Sequence, residues 1–430
     1  MSGGWRHFSW RGSVALAAVC LPLWAAPAVA QEEPAPEVVC PEAVPASAAD
    51  LQRVAQTRRV LSGVHALATG HGVTVAVIDT GVSPHPRLAR LVAGADFTHS
   101  AGALSDCDGH GTIAAGIIAA QPSDDDGLVG VAPGAQVVSI KQSTAFGARE
   151  DAGNLATLSE AIAHALEHHP QVITMSLASC VSPQEAEAVS HSALAQVLRD
   201  AEHQGVTVVA AGGNVGGPCQ QGQAVIPAHL PTVIGVSARK DSVAMEDYSM
   251  ATAGPVVSAP GMVPVGLSPR TGQLARGMRE PQGERGFIGT SFAAPFVAGT
   301  VALLYQQRPE ITPQQVRQLL AESSDPITGA VDPLRVLSQP TPVAARNQLP
   351  HDGGLRPDPR SPLVPAGASK PLAAPSTTTS QQTTAARRLA VLGGAALLVF
   401  STGWAARPHL RRLFARRTPR FRNRGHQRDK

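Results

Sequence analysis

Short runs of β-branched and other apolar residues recur through the middle of the chain and alternate with segments of helical periodicity. The runs predict strands at Val73–Ile78, Val137–Ile140, Val172–Leu177, Val206–Ala210 and Thr232–Val236. Helical patterns follow these runs over residues 111–120, 155–168, 184–204 and 291–307. Continuous apolar runs are typical of strands buried on both faces, and their alternation with helices indicates a parallel sheet. We therefore predict an α/β fold, a three-layer sandwich with a mainly parallel central sheet.

Both ends of the chain carry signals for export and membrane attachment. Residues 1–30 contain a basic start, an apolar stretch and the small-residue ending Ala28-Val29-Ala30, which predict a secretory signal peptide. The uncharged stretch Leu389–Ala406 is about 18 residues long and lies within 387–406, which we predict to be a transmembrane helix. A buried core helix is the alternative, but the basic tail, 407–430, offers it nothing to pack against. Because that tail is rich in arginine, we expect the C-terminus to be cytoplasmic.

Composition divides the rest of the chain into an arm, one folded domain and a linker. Residues 31–60 are rich in proline and alanine and too few to fold alone, so we expect an arm wrapped on the body. Residues 61–338 suit a single domain, and the proline-rich segment 339–386 is typical of an extended spacer. Within the domain, we expect surface loops over 262–285. The basic tail alone exceeds the net charge of +3, so we do not expect nucleic-acid binding.

Polar residues and glycines stand where the predicted elements begin or end. Asp79 follows the first strand, and His110 opens the helical pattern at 111–120. Asn214 follows the fourth strand, and Ser291 opens the last helix. Each residue alone is explained by ordinary turn or helix-cap chemistry. Active sites of such folds gather at the carboxyl ends of the parallel strands, so we expect the four side chains to converge there.

These residue types are the ones that serine-dependent acyl transfer requires. A serine hydroxyl becomes an effective nucleophile when an imidazole removes its proton, and a carboxylate holds that imidazole in one tautomer. Donors such as an asparagine amide stabilise the oxyanion of the tetrahedral intermediate. We therefore interpret four residues as one catalytic site: Asp79, His110, Ser291 and Asn214.

Four ordered blocks of the sequence resemble the signatures of subtilisin-like serine proteases. They are VAVIDTGV at 75–82, GHGT at 109–112, AAGGN at 210–214 and GTSFAAPFVAG at 289–299. The resemblance covers roughly residues 60–325, and the order Asp, His, Ser is that of subtilisin. It implies that Asp79 orients the general base His110 and that Ser291 is the nucleophile. It also implies that Asn214 binds the oxyanion.

The resemblance further implies where a substrate binds. One segment matches the edge that pairs with the substrate backbone, and its residues are Ser176, Leu177 and Ala178. A second matches one wall of the specificity pocket, and its residues are Ala211, Gly212 and Gly213. The family pattern is not followed everywhere: Phe292 replaces a frequent Met, while Ala178 and Gly212 replace the more usual Gly and Ala. We expect these differences to reshape the pocket and to leave the proton transfer unchanged.

The order of the segments resembles that of the mycosins, the membrane-anchored subtilases associated with type VII secretion in actinobacteria. A signal peptide, protease domain, proline-rich linker, membrane helix and basic tail follow one another as in those proteins. The resemblance implies a serine endopeptidase outside the cell membrane, with a protein or peptide substrate, no cofactor and a type VII membrane complex as a partner. The alternative is a structural subunit of such a complex whose proteolysis is dispensable.

Four cysteines remain once the signal peptide is removed, and they allow three disulfide connectivities. Cys180 follows the third strand and Cys219 follows the Asn214 loop. Both loops leave the same edge of the predicted sheet, so we predict that these two cysteines pair. Cys40 then pairs with Cys107 and holds the arm beside the His110 loop.

Two other groups contain residue types that bind metals. The histidines His164, His168 and His169 lie at helical spacing, and the segment Asp124–Asp126 is acidic. The first lacks the HExxH pattern of a zinc protease, and the second lacks the alternating ligands of a calcium loop. We interpret both as solvated surface and assign no metal site.

Overall fold

The computed structural model of the protein describes residues 39–145, 153–217, 219–252, 254, 256–281 and 283–342. These residues lie in the first of the two units of the chain, residues 1–349. The predicted signal peptide, transmembrane helix and basic tail lie outside them. Within the described ranges, no helix is both long enough and apolar enough to span a membrane.

The described residues form a series of strands and helices. The strands are β1 (Glu42–Pro45), β2 (Thr74–Asp79), β3 (Leu91–Asp96), β4 (Gln136–Lys141), β5 (Val172–Met175), β6 (Ser179–Val181), β7 (Thr207–Ala211), β8 (Ala224–Ile226), β9 (Val233–Arg239), β10 (Val257–Pro260), β11 (Met262–Val263), β12 (Gly266–Leu267), β13 (Leu274–Glu280), β14 (Gly283–Arg285) and β15 (Phe287–Ile288). The helices are α1 (Ala48–His65), α2 (His110–Ala119), α3 (Leu155–Glu167), α4 (Pro183–Ser190), α5 (Ala193–His203), α6 (Thr290–Gln307), α7 (Pro313–Ser323) and α8 (Pro333–Ser338).

A parallel sheet of seven strands lies at the centre of the described structure. Its strands run in the order β10-β9-β7-β5-β2-β4-β3, and every neighbouring pair is parallel. The strands predicted from the sequence are β2, β4, β5, β7 and β9, which are the inner strands of this sheet. The edge strands β3 and β10 are not predicted. β3 is only partly buried, so its sequence, LVAGAD, lacks a continuous β-branched run.

Helices cover both faces of the sheet because side chains alternate along each strand. On β2, Val75 and Val77 lie in a core shared with α1, α2, α6, α7 and α8, which we call the α6-side core. Ala76 and Ile78 lie in a second core, shared with α3, α4 and α5. Burial on both faces explains why the predicted strands are continuous apolar runs. The predicted α/β sandwich with a parallel sheet is confirmed.

The prediction of one helix over residues 184–204 is wrong. The structure has α4 ending at Ser190 and α5 beginning at Ala193. Ser192 lies between them: its Oγ donates to Val189 O at 2.6 Å and accepts from Ala195 N at 3.5 Å. A serine that bonds neighbouring backbone groups competes with the helix ladder, so the chain breaks there although the apolar periodicity continues.

The prediction of surface loops over 262–285 is also wrong. The segment forms β11, β12 and the hairpin β13–β14. In β13, Ala275 and Met278 are buried while Arg276 and Arg279 are exposed. So few apolar residues do not predict a strand, and β13 forms because β1, β12 and β14 pair with it.

The N-terminal arm is attached to the domain at several points. β1 pairs antiparallel with β13, and Cys40 is bonded to Cys107. α1 begins after Ser47, which forms a capping box with Asp50. The same helix buries Leu61 in the α6-side core. The arm therefore lies against the domain beside the loop that precedes His110.

Candidate active site

The side chains of Asp79 and His110 meet at the carboxyl edge of the sheet. Asp79 is the last residue of β2, and His110 is the first residue of α2. His110 Nδ1 and Asp79 Oδ1 lie 2.7 Å apart, and Thr80 N donates to the same oxygen at 2.7 Å. Asp79 is 2% exposed. The carboxylate is therefore held in one orientation and shielded from water.

Each member of this pair changes the pKa of the other. Burial raises the pKa of the Asp79 carboxyl and lowers that of the His110 imidazole, because it removes water from the charged forms. In both cases the partner's charge and hydrogen bond, together with smaller contributions from neighbouring groups, outweigh burial. The pKa of Asp79 consequently lies below its ordinary value, and the pKa of His110 lies above its own. The pair therefore favours a carboxylate beside an imidazolium.

The close approach of α2 to β2 depends on glycine at position 111. A Cβ atom on Gly111 would overlap Gly81 O and would lie 3.1 Å from Asp79 Cβ. A side chain there would push the start of α2 away and separate His110 from Asp79. This steric requirement explains the glycine that follows the histidine in the GHGT block.

Ser291 lies in the first turn of α6 and is partly buried. The next residue, Phe292, packs its ring against the His110 imidazole, with ring centroids 4.7 Å apart. The hydrogen bonds of the described residues do not include one between Ser291 Oγ and His110. Contacts between a nucleophile and its base are often long without substrate and shorten when substrate binds. The structure thus joins Asp79 to His110 and leaves the Ser291 hydroxyl unbonded to the imidazole.

Asn214 is held at the start of α6, next to Ser291. Its Oδ1 accepts from Thr290 N at 3.0 Å and from Thr290 Oγ1 at 3.1 Å. A Cβ atom on Gly289, whose φ is 154°, would lie 3.0 Å from Ser291 Oγ and 3.3 Å from Asn214 Nδ2. The hydroxyl and the amide nitrogen therefore border the same space, which glycine leaves open.

The predicted substrate segment 176–178 follows β5 at the same edge of the sheet. Ser176 Oγ donates to Ser291 O at 3.1 Å, which ties this segment to the start of α6. Leu177 is partly buried and Ala178 is exposed. The segment therefore lies beside Ser291 with its far end open to solvent.

The second predicted segment ends the neighbouring strand β7. Ala211, Gly212 and Gly213 are buried, and Gly213 N donates to Thr290 Oγ1 at 3.1 Å. A Cβ atom on Gly212 would lie 2.7 Å from Thr252 Cγ2. The replacement of the more usual alanine by Gly212 is therefore matched by a threonine methyl group that fills the space.

The disulfides link the loops around this site. Cys40 is bonded to Cys107, and Cys180 is bonded to Cys219. These are the pairs predicted from the sequence. The first joins the arm to the loop that precedes His110, and the second joins the segment after Ala178 to the loop after Asn214.

The sequence analysis does not identify Asp106 as part of the site. This carboxylate is fully buried and accepts hydrogen bonds from Thr80 and Thr112, on either side of the Asp79–His110 pair. The signal in the sequence is the run SDCDGHGT, in which two aspartates precede the histidine. Spacing alone does not distinguish Asp106 from its neighbour Asp108.

The two groups without an assigned metal have other contacts. Asp126 is not simply solvated, because it forms a largely buried ion pair with Arg87 at 2.8 Å. His164 Nε2 and His168 Nε2 lie 3.3 Å apart on α3. The part of the chain that the structure describes contains no group of three or more potential metal ligands.

Comparisons with known proteins agree with this architecture. A profile of the subtilase family matches residues 70–354, so the chain belongs to the subtilase family of serine endopeptidases. Mycosin-1 of Mycobacterium tuberculosis is 36% identical over 308 residues, which cover 64% of this chain and 68% of that protein. These matches, with the structural ones below, show a subtilase of the mycosin type.

Solved structures of proteins from type VII secretion systems are also similar to this chain. The MycP3 protease from the type VII (ESX-3) secretion system has a TM-score of 0.62 at 31% identity, covering 70% of this chain and 92% of that one. A chain in an intact ESX-5 inner membrane complex has a TM-score of 0.63 at 28% identity, covering 84% of this chain and 92% of that one.

Proposed function

We propose that the protein is a membrane-anchored serine endopeptidase that acts outside the cytoplasmic membrane in association with type VII secretion. The observation that carries the proposal is the Asp79–His110 pair, with a buried carboxylate and a partly buried imidazole, whose oxygen and nitrogen lie 2.7 Å apart at the edge where α6 begins next to Ser291. A purely structural aspartate–histidine contact needs neither a serine nor an asparagine amide beside it. This pair has both.

The pair supports acyl transfer through Ser291. Ser291 Oγ attacks the carbonyl carbon of the scissile peptide while His110 takes the hydroxyl proton. Asp79 stabilises the imidazolium that forms, and its charge already holds the pKa of His110 above the usual value. His110 then gives the proton to the leaving amine. Deacylation repeats these steps with a water molecule as the nucleophile.

Asn214 stabilises the negative charge that develops on the carbonyl oxygen. Its amide oxygen is occupied by Thr290, so the amide is fixed with Nδ2 towards the space beside Ser291 Oγ. The Ser291 N–H is a second donor, because the first N–H groups of a helix have no acceptor within the helix. Two preorganised donors at this position lower the energy of the tetrahedral intermediate.

The two segments at the ends of β5 and β7 support binding of an extended peptide. The segment 176–178 lies between β5 and β6, so a substrate backbone can pair with it as an added strand. The segment 211–213 ends the neighbouring strand, so the substrate side chain before the scissile bond would lie between the two. This arrangement fits a protein or peptide substrate.

The proposed location rests on the sequence signals and on the relatives. Residues 1–30 and 387–406 have the features of a signal peptide and a membrane anchor, and two disulfides suit an oxidising compartment. The similar chain in an ESX-5 inner membrane complex supports association with such a complex. The same neighbour favours a second function, that of a structural subunit whose proteolysis is dispensable.

Labelling of the full-length protein with a fluorophosphonate probe tests the chemistry. We expect labelling at Ser291 in the wild type, and none in Ser291→Ala or His110→Ala. Ser190→Ala is a matched control, because this hydroxyl bonds Glu187 O within α4. Labelling of His110→Ala at the wild-type rate would contradict the proposed mechanism.

A secretion assay separates the two functions. If proteolysis is the function, Ser291→Ala should reduce type VII secretion as strongly as deletion of the whole chain. A secretion defect on deletion that Ser291→Ala does not share would favour the structural subunit. Comparison of new protein N-termini between wild type and Ser291→Ala would then identify the cleaved substrate.

A further inference from the structure

We propose that Asp106 is a positioning residue, whose ionised carboxylate holds the turn after β2 and the first turn of α2 together so that His110 stays against Asp79. The inference deepens the proposed function and rests on it. Asp106 touches neither the imidazole nor the Ser291 hydroxyl among the hydrogen bonds of the described residues. Its effect on the reaction is therefore exerted through other residues.

One carboxylate oxygen of Asp106 joins the two segments directly. Its Oδ1 accepts from Thr80 Oγ1 at 2.8 Å and from Gly109 N at 2.8 Å. Thr80 follows Asp79, and its own N–H donates to Asp79 Oδ1. Gly109 precedes His110. The same oxygen thus holds the chain neighbours of both members of the pair.

The other oxygen holds the first turn of α2. Asp106 Oδ2 accepts from Thr112 N at 2.8 Å and from Thr112 Oγ1 at 2.7 Å. The Thr80 hydroxyl completes the link, because it accepts from Gly111 N at 3.0 Å. Each residue from 109 to 112 except His110 therefore bonds to Asp106 or to Thr80. The backbone on both sides of the imidazole is fixed.

These contacts require a carboxylate rather than an amide. All four groups that face Asp106 are used as donors, and one on each oxygen is a backbone N–H, which cannot reverse its role. In Asp106→Asn, the amide NH₂ would face either Gly109 N or Thr112 N. One hydrogen bond would become a contact between two donors, whichever way the amide is turned.

Burying the ionised carboxylate of Asp106 costs free energy, which indicates that the charge has a role in the structure. The residue is fully buried, and burial raises the pKa of its carboxyl to about 6 although its hydrogen bonds from Thr112 and Thr80 oppose the shift. Asp79 also raises this pKa, through its negative charge. In turn, the charge of Asp106 raises the pKa of His110.

Other charged groups near the loop bind its backbone or a different loop. The Lys141 ammonium donates to Ser105 O at 2.7 Å, and Arg270 donates to Cys107 O at 2.7 Å. Asp108 accepts from Thr144 Oγ1 at 2.5 Å and from Ala145 N at 2.9 Å. Asp108 lies in the same loop as Asp106. Its carboxylate, however, holds the segment after β4 and not the backbone around Asp79 and His110.

The test compares Asp106→Asn with the matched control Asp108→Asn in the full-length protein. The rate of Ser291 labelling by a fluorophosphonate probe is measured between pH 5 and 9. We expect Asp106→Asn to slow labelling about 10²-fold at the alkaline plateau, the loss that a small misplacement of a reacting group causes. We also expect the acid limb to move to lower pH, because a negative charge beside His110 is removed. Asp108→Asn should keep the wild-type rate and profile.

The outcomes distinguish this inference from the proposed function. An unlabelled wild type overturns both. A labelled wild type with an unchanged rate and pH profile in folded Asp106→Asn overturns the inference alone. If Asp106→Asn does not fold, the inference is tested by comparing Thr80→Val with Thr80→Ser. Only Thr80→Ser keeps the hydroxyl that donates to Asp106. We expect Thr80→Val to be labelled about tenfold more slowly than Thr80→Ser, and equal rates overturn the inference.

Discussion

Asp79 and His110 are joined by a 2.7 Å hydrogen bond, with Asp79 buried and His110 partly buried, whereas Ser291 is not bonded to His110 and Asn214 is exposed. We call the first two residues the base half of the site and the second two the nucleophile half. In the base half, Asp106 ties down the flanking backbone. In the nucleophile half, the Ser291 hydroxyl has no hydrogen bond to the imidazole among the described residues.

This difference in hydrogen bonding indicates that the base half is organised on folding and that the nucleophile half is completed when substrate binds. The base half is assembled by folding, so the entropy of ordering it is lost before substrate arrives. The nucleophile half keeps an open space beside Gly289, which we propose receives the carbonyl group of a substrate. Changes in the base half should therefore alter stability and pH dependence together with the rate. In the nucleophile half, loss of the Ser291 hydroxyl, which makes no hydrogen bond to His110, should alter the rate alone.

The largest expected effect is that of Ser291→Ala. We expect hydrolysis of an unfolded protein substrate to fall about 10⁶-fold. The melting temperature should stay close to that of the wild type, because the lost hydroxyl makes no hydrogen bond to His110 in this structure. A large drop in melting temperature would show that the nucleophile half is also part of the folded framework and would remove the contrast between the halves.

Asp79→Asn should have the next largest effect. We expect the rate of hydrolysis to fall about 10⁴-fold, because the imidazole loses the partner that selects its tautomer. Unlike Ser291→Ala, this variant should also be less stable, since Asp79 is buried and bonded to His110 and Thr80. Thermal unfolding of both variants, measured side by side, tests the comparison directly.

The pH dependence of that stability difference follows from the two pKa shifts. The raised pKa of His110 contributes stability that is complete below pH 6.5 and is lost as pH rises through the folded value. The lowered pKa of Asp79 contributes stability that is present above pH 3.8 and is lost as pH falls through its folded value. We expect the difference between wild type and Asp79→Asn to be largest between these limits. A difference that does not vary with pH would contradict the ion pair.

Catalytic activity should rise with pH near neutrality, whereas the contribution of His110 to stability falls. His110 must be neutral to accept the Ser291 proton, and its pKa lies above 6.5. We therefore expect the wild-type kcat/KM to rise with pH through a midpoint above 6.5. A midpoint below 6.5 would show that burial outweighs the charge of Asp79.

Asn214 should have an intermediate effect on the rate. We expect Asn214→Ala to lower kcat about 10²- to 10³-fold by loss of the Nδ2 donor. Asn214→Asp is the matched variant, because a carboxylate still accepts from Thr290 but has no donor for the oxyanion. A similar loss in both variants supports the donor role. Nearly full activity in Asn214→Asp would assign the effect to the Thr290 contacts instead.

The smallest effects are expected from the disulfides. The bonded cysteines are separated by 67 and 39 residues, so their chain-entropy contributions differ by only about 0.5 kcal/mol. We expect either serine double variant to lose about 2–4 kcal/mol of unfolding free energy. Loss of Cys180–Cys219 should also raise KM, because that bond joins the loops after Ala178 and Asn214. Mass mapping of a nonreduced digest should recover both pairs, and another linkage would contradict the geometry.

The inner strands of the seven-stranded sheet and the other strands differ in how far the sequence predicts them. The inner strands are buried on both faces, so most of their residues are apolar and the run is visible in the sequence. β3 and β13 are exposed on one side or depend on partners from elsewhere, and their sequences contain glycine and charged residues. Tertiary pairing determines such strands. Propensity along the chain does not.

The residues of the candidate site also differ in whether the sequence alone identifies them. Asp79, His110, Asn214 and Ser291 are marked by residue type at element boundaries, so they are visible without coordinates. Asp106 is not, because its sequence neighbour Asp108 has the same side chain and a different set of partners. Only the fold places one carboxylate among four donors and the other against the loop after β4.

The amino-acid sequence by itself determined the alternation of the inner strands with helices and the chemical groups available for acyl transfer, and it limited the cysteines to three connectivities, of which the predicted sheet favoured one. The tertiary structure alone decided that the carboxylate and imidazole are bonded, that the serine hydroxyl is not yet bonded to the imidazole, and that β1 and β13 pair. The physical reason is that periodicity and residue type are local properties of the chain. Hydrogen bonds between residues 31 or more positions apart, such as His110 and Asp79, depend on differences of a few tenths of an ångström that only packing sets.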